Sequence, residues 1–348
     1  MQTKLFAIWC LILVPPGLAG TALAEPMQET AGQAASAAAL AKELADAKRQ
    51  LAEQKEAANW EKGRLQKEAD DLRIELAAKG TLNYQKLIYK STDGLRIPAY
   101  LFKPLAPAPG KVPGVIYVHG SQHGQFNSRA YPRVQQLVAR GYIVLAPDYR
   151  SSSGYTKEFH DAADYGGKEI DDMLAARDYL AALPEVDASR IAIMGLSHGG
   201  YNTVMALVRA PAHFAAGVDF FGPTDLVWRL SAKPGENANA EPGDREYFAR
   251  MVGKHIDEAP ELYRARSPRH LAAEIKPPLL ILHGEKDAIV QVQESIWLAD
   301  ALKKAGKKNF AFHIIKDGEH GYPAPQMDEA WALTFEFLER VFAEKKES

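Results

Sequence analysis

From Tyr84 onward, short apolar runs alternate along the chain with stretches of helical period. Tyr84–Lys90 (YQKLIYK) and Leu95–Lys103 (LRIPAYLFK) read as two strands joined by the turn Ser91-Thr92-Asp93-Gly94. Further strands are predicted at Gly114–Val118, Ile143–Ala146, Ile191–Met194, Ala216–Phe221, Leu279–Leu282 and Asn309–Ile315. Helical spacing predicts helices at Ser128–Ala139, Gly167–Ala182, Gly200–Arg209, Gln293–Ala305 and Gln326–Glu344. Strands buried on both faces read as unbroken apolar runs, and their alternation with helices marks a doubly wound, mostly parallel sheet. An antiparallel start followed by a parallel α/β body of about eight strands suits the α/β-hydrolase fold.

Two stretches depart from this alternation. Between Gly222 and Pro277 the pattern breaks into turns and scattered aromatics, Trp228, Tyr247, Phe248 and Tyr263 among them. Connections this long are uncommon without a role, so 222–277 is expected to be a cap over the C-terminal edge of the sheet. Residues 31–79 are rich in Ala, Glu, Lys, Leu and Gln and contain no proline, which predicts a long helix. Leu44, Leu51, Ala58, Leu65 and Leu72 fall seven apart, but the companion positions read Ala47, Gln54, Glu61, Glu68 and Glu75. A coiled-coil seam needs both positions apolar, so a solvated spacer is favoured over a homo-oligomer through this helix. Gly63 is expected to interrupt it further.

The first residues are read as a leader. Lys4 precedes ten apolar residues, Leu5–Val14, then Pro15-Pro16 and the small-residue segment Thr21–Ala24, with cleavage expected after Ala24. Ten apolar residues fall short of the roughly 20 that a membrane helix needs. The expected organisation is therefore a leader at 1–24, a helical spacer at 25–80 and an α/β-hydrolase-fold domain at 81–348, in a periplasmic or extracellular protein. The single cysteine, Cys10, lies in the leader, so no disulfide is expected. Apolar residues at 47%, charged residues at 25% and a formal net charge of −2 describe an ordinary globular chain. That charge excludes partners chosen by charge alone, such as nucleic acid or an anionic membrane.

The chemistry centres on Gly195-Leu196-Ser197-His198-Gly199. This G-x-S-x-G run lies between a predicted strand and a predicted helix, where a serine is presented on a strained turn as a nucleophile. A serine hydroxyl needs a base oriented by an acid, and in this fold the acid and then the histidine follow the serine along the chain. The loop after the Leu279–Leu282 strand carries Asp287, and the loop after the last strand carries His320. Glu285 and Asp317 are the fallback acids. An oxyanion needs two N–H donors. One is expected at His198, the other at Ser121 in the loop after Val118, with Gln122 next in line. His119 and His123 stand four apart, yet in a loop and without a carboxylate, so no metal is expected. No G-x-G-x-x-G follows a strand and no P-loop is present, so no cofactor is expected.

The chain resembles the catalytic domain of the prolyl oligopeptidase family of serine peptidases, from about Asp93 to Phe342. The resemblance rests on Asp148–Tyr155 (DYRSSSGY), Gly166–Asp172 (GGKEIDD), Val186–Tyr201 (VDASRIAIMGLSHGGY), Ser267-Pro268, His283–Asp287 (HGEKD) and Gly318–Gly321 (GEHG). It implies the triad Ser197, Asp287 and His320 and a small peptide or ester substrate cleaved through an acyl-enzyme. Family peptidases commonly carry a β-propeller before this domain, where this chain has helix. Its early loop reads His119-Gly120-Ser121-Gln122 where the family usually has a second glycine and then proline, and Gln291 follows Val290 in place of the usual proline. Dienelactone-hydrolase-like and acetyl-ester hydrolases of the same fold are weaker resemblances, and they keep a carboxylesterase as the alternative. A non-catalytic binding module is the remote one.

Overall fold

The structure, a computed structural model, describes residues 31–106, 109–231 and 243–347. The expected leader and Cys10 lie outside the described residues. Eight strands form one sheet in the order β1-β2-β4-β3-β5-β6-β7-β8. They are β1 (Asn83–Lys90), β2 (Arg96–Lys103), β3 (Val112–Val118), β4 (Ile143–Pro147), β5 (Val186–Leu196), β6 (Ala216–Phe220), β7 (Leu279–Gly284) and β8 (Phe310–Ile315). β1 pairs antiparallel with β2, and β2 with β4; every later pair is parallel. All eight predicted strands are present.

Burial follows position in the sheet. β4 (IVLAP) and β7 (LLILHG) are buried along their whole length. The edge strands β1 and β8 are largely exposed or half-buried, and β1 carries Lys86 and Lys90, which discourage pairing with another chain. The helices are α1 (Ala31–Ala78), α2 (Tyr131–Ala139), α3 (Lys157–Asp161), α4 (Lys168–Ala181), α5 (His198–Arg209), α6 (Leu226–Ser231), α7 (Asp244–Val252), α8 (Pro260–Ala265), α9 (Val292–Lys304) and α10 (Ala324–Glu347). One apolar cluster joins Ile116, Ile193 and Ile281 of the sheet to Ile170 of α4 and Val204 of α5. A second joins Val115, Met194 and Leu280 to Val134 of α2 and Trp331 and Leu338 of α10. The sheet is thus covered on both faces, as its unbroken apolar runs require.

Between β6 and β7 the cap segment contains α6, α7, α8 and the 3-10 turn Pro268–Glu274. The buried carboxylate of Glu294 on α9 anchors it. Glu294 accepts the N–H groups of Thr224 (2.7 Å) and Asp225 (3.1 Å) and the Arg229 guanidinium (2.6 Å). Elements of five to nine residues are too short for their period to show in the sequence.

The chain divides into two compact units, residues 1–56 and 57–348. In the first, Leu40, Leu44 and Leu51 are exposed. In the second, the rest of α1 is built into the catalytic body, which moves the body's start from the expected residue 81 to Ala57. The reason is a polar docking face. Lys67, Asp70, Asp71, Ile74 and Ala78, spaced three and four apart, are buried, while Leu65 and Leu72 of the heptad stripe stay exposed. Helix α1 also runs through Gly63 without a break. That glycine faces Gly154, whose amide nitrogen would lie 4.0 Å from an added Cβ.

Lys67 is the centre of the dock. Its ammonium is 2.5 Å from Asp148 Oδ2, donates to the Phe126 carbonyl at 2.9 Å and lies 4.4 Å from the centre of the Tyr100 ring. Both charges are out of water, so removing one strands the other at a cost of about 3–5 kcal/mol. Lys67→Met is expected to lower the unfolding free energy in urea by that amount, and Lys67→Met/Asp148→Asn by less. A loss below about 1 kcal/mol in the single variant would contradict the buried pair.

Candidate active site

The buried strand β5 runs straight into α5 with one residue, Ser197, between them. Its backbone stands at φ 55°, ψ −119°, positive-φ geometry that costs a residue with a side chain roughly 1–3 kcal/mol. Ser197 N–H donates to the Phe220 carbonyl at 2.8 Å, and Ser197 C=O accepts from Tyr201 at 3.0 Å, so both peptides of the turn are tied. The flanking glycines are steric requirements. A Cβ on Gly195 would lie 2.4 Å from the Gly199 carbonyl, and one on Gly199 would lie 2.3 Å from the Val118 carbonyl of β3.

The loops after β7 and β8 bring the partners. Glu285 N–H donates to Ile315 C=O at 3.0 Å and Lys286 N–H to Gly318 C=O at 2.8 Å, which ties the two loops together. His320 Nε2 lies 3.0 Å from Ser197 Oγ, and His320 Nδ1 lies 2.8 Å from Asp287 Oδ2. The other oxygen of Asp287 accepts the N–H groups of Ile289 and Val290, each at 2.8 Å. Serine, histidine and aspartate thus form one hydrogen-bonded chain. The fallback acids point to other partners: Glu285 accepts the Asp317 N–H, and Asp317 pairs with Lys286.

Burial alone would raise the Asp287 pKa. Hydrogen bonds from His283 and His320, the charge of His320 and the Val290 N–H outweigh it and hold the carboxyl well below the usual carboxylate range. His283 Nε2 is 3.5 Å from Asp287 Oδ2. His283 is itself fixed by Ser295 Oγ at 2.7 Å and the Val290 carbonyl at 2.8 Å. The ring of Phe221 meets His320 edge-on at 4.7 Å.

Ser121 takes φ 62°, and its carbonyl accepts the Tyr149 hydroxyl at 3.1 Å and the Gly124 N–H at 3.0 Å. The residue before it, Gly120, packs so close that a Cβ there would sit 3.4 Å from Ser197 Cβ. The expected donor loop therefore borders the serine. His198 begins α5, where first-turn N–H groups have no partner within the helix.

The side chain of His198 is buried, and its partner was not foreseen. His198 Nε2 lies 2.8 Å from Glu169 Oε2 of α4, and Glu169 Oε1 accepts Gln122 Nε2 at 2.9 Å. Gln122 Oε1 accepts the hydroxyl of Tyr247 on cap helix α7 at 2.7 Å. This buried relay clamps the elbow, the early loop and the cap together. The signal available for it was Glu169, a charged residue inside the Gly166–Asp172 stretch. Gln122 serves through its side chain here. His119 and His123 part ways: His119 Nε2 bonds Ser152 Oγ at 2.9 Å, and His123 Nδ1 bonds the Ser151 carbonyl at 2.9 Å. Burial pulls the His119 pKa down to about 4, partly offset by Asp148. Among the described residues no group of three His, Cys, Asp or Glu side chains could hold a metal.

A model of the prolyl oligopeptidase family matches residues 128–345, which contain the serine, the aspartate and the histidine. The chain belongs to the prolyl oligopeptidase family. Dipeptidyl aminopeptidase BIII of Pseudoxanthomonas mexicana is 33% identical over 69% of this chain and 35% of its own length. Dipeptidyl peptidase family member 6 of Caenorhabditis elegans is 31% identical over 71% of this chain and 36% of its own. A puromycin-hydrolysing peptidase of Mycobacterium tuberculosis superposes with a TM-score of 0.68 at 24% identity, over 75% of this chain and 39% of that one. This last likeness is one of fold. The chain spans about a third of the length of the two curated relatives. Among the described residues, helix α1 precedes the sheet, with no propeller blades.

Because the native pKa of Asp287 is depressed, its ionisation stabilises the fold above the unfolded carboxyl value near 3.9, and that contribution is lost as pH falls toward the native value. Wild type is expected to lose more stability between pH 5 and 2 than Asp287→Asn, measured by urea unfolding. Parallel pH curves for the two would contradict the assignment.

Proposed function

We propose that this family member is a serine peptidase that cleaves short peptides through an acyl-enzyme on Ser197. The observation that carries the reading is the continuous chain from Ser197 Oγ through His320 to Asp287. His320 Nε2 takes the serine proton as Oγ attacks the scissile carbonyl, and returns it to the departing amine. Asp287 fixes the Nδ1–H tautomer and stabilises the imidazolium. The N–H groups of His198 and Ser121 receive the oxyanion, a role supported by the closeness of Gly120 to the elbow. Water, activated by His320, then releases the acyl group. The named relatives are aminopeptidases and peptidases, which supports peptides over simple esters as substrates. A carboxylesterase remains the reading to be tested against it. Lys4, Leu5–Val14 and the small residues to Ala24 support export, with the exposed part of α1 as a spacer behind the leader.

A fluorophosphonate probe is expected to label wild type and leave Ser197→Ala unlabelled. In a panel of aminoacyl and dipeptidyl anilides against short acyl esters, anilide turnover is expected. Turnover of esters alone would overturn the peptidase reading, and equal labelling of Ser197→Ala would overturn the nucleophile. Asp287→Asn is expected to lower kcat by roughly 10⁴-fold, because an amide presents its N–H where the imidazole needs an acceptor.

A further inference from the structure

Strand β6 lies between β5, which leads into Ser197, and β7, which leads into the Asp287 loop, and it carries a buried acid of its own. Asp219 pairs in register with Gly195 on one side and Ile281 on the other, and it has no solvent exposure. Its Oδ1 accepts the Gly222 N–H at 2.8 Å, while its Oδ2 has no hydrogen-bond partner among the described residues. Burial pushes its pKa up to about 6, against the Gly222 N–H and the charge of His283. A carboxyl buried with one bond costs stability that an apolar residue in the same strand would not. Departures of this kind collect at functional sites.

That one bond closes the turn from Asp219 to Gly222, in which Phe221 stands at φ 45°, a costly geometry for a residue with a side chain. The turn reaches both the nucleophile and the base. Its Phe220 carbonyl accepts the Ser197 N–H at 2.8 Å, and its Phe221 N–H donates to Leu282 C=O at 2.8 Å. The buried Phe221 ring meets His320 edge-on at 4.7 Å and Tyr322 edge-on at 5.0 Å, so it is wedged against the loop that carries the base. A hydrogen bond to Asp287 fixes one nitrogen of the imidazole, whereas a ring packed against it limits its tilt. The turn has no slack on the side of α5. A Cβ on Gly222 would lie 2.5 Å from the Tyr201 nitrogen, and one on Gly200 would run into Asp219 Oδ1.

We propose that Asp219 is a positioning residue for His320, acting through the Phe221 ring that its bond to the Gly222 N–H holds against the imidazole. The inference rests on the acyl-enzyme reading above and adds to it a residue that hydrogen-bonds to no member of the triad. What the turn needs at 219 is an acceptor, and an amide supplies one as well as a carboxylate does. A base displaced by about 1 Å loses on the order of 10²-fold in rate.

The test is inactivation of the full chain by a fluorophosphonate, resolved into the rate at saturation, kinact, and the half-saturating concentration, KI, with urea unfolding to show that each variant is folded in the assay. Asp219→Ala is expected to lower kinact by about 10²-fold and leave KI within about twofold, whereas Asp219→Asn stays within about threefold of wild type. Phe221→Leu is expected to lower kinact by a similar factor, and adding Asp219→Ala to it to lower kinact less than about threefold further, since the two act through one contact. Wild-type kinact in Asp219→Ala would overturn the proposal, as would a loss in Asp219→Asn equal to that in Asp219→Ala, or losses that multiply in the double variant. Should Asp219→Ala fail to fold, Phe221→Leu decides alone: it leaves the turn bond in place, and a kinact near wild type would overturn the proposal. Failure of the underlying reading is distinguishable, since wild type itself would then take no fluorophosphonate.

Discussion

The site depends on one close approach: the carbonyls of Val118 and His119 at the end of β3 press against the glycine face of the β5–α5 turn. A Cβ on Gly199 would meet those two oxygens at 2.3 and 2.7 Å. With no side chain at 195 or 199, helix α5 can begin directly behind Ser197, and the serine is forced into positive-φ geometry with its hydroxyl outward. The sheet order makes the approach, because β3 and β5 are hydrogen-bonded neighbours in register through Val118 and Gly195. Secondary structure, packing and reactivity are one constraint here.

Buried carboxylates then do the positioning around this rigid centre. Asp287 is held by two N–H groups and two histidines, so His320 has a single favourable orientation. Glu169 joins the His198 ring to Gln122 and through it to the cap. Glu294 anchors the start of the cap to α9, and Asp148 receives Lys67 from α1. Each sits at the junction of two or more elements, where a charge with satisfied partners fixes geometry and a charge left alone is costly. Ser197, His320 and Asp287, the residues of the proposed chemistry, form one hydrogen-bonded chain, while Glu169, Glu294 and Asp148 join elements to one another.

How far the sequence disclosed this depends on the kind of signal each feature leaves. Strands such as Leu279–Leu282 were legible because burial on both faces leaves an unbroken apolar run. Ser197 was legible because its glycines have no alternative, and Asp287 and His320 because they follow strands in a fixed chain order. The docking of α1 was hidden, since its buried face is made by Lys67, Asp70 and Asp71, residues that hydrophobic periodicity counts as solvated, while the regular stripe of Leu65 and Leu72 faces solvent. Gly63 read as a break, yet α1 runs through it without one. The Glu169–Gln122–Tyr247 relay joins residues far apart in the chain by side-chain bonds alone, and no local spacing encodes that. The cap helices were too short to announce themselves.

On the proposed reading, the elbow presents Ser197 to an oxyanion site made by the N–H groups of His198 and Ser121. A crystal structure of the fluorophosphonate adduct tests it most directly. A covalent bond from Ser197 Oγ to phosphorus is expected, with the phosphoryl oxygen about 2.7–3.1 Å from both nitrogens and His320 still bonded to Asp287. An adduct on another residue, or a phosphoryl oxygen turned away from both N–H groups, would contradict it.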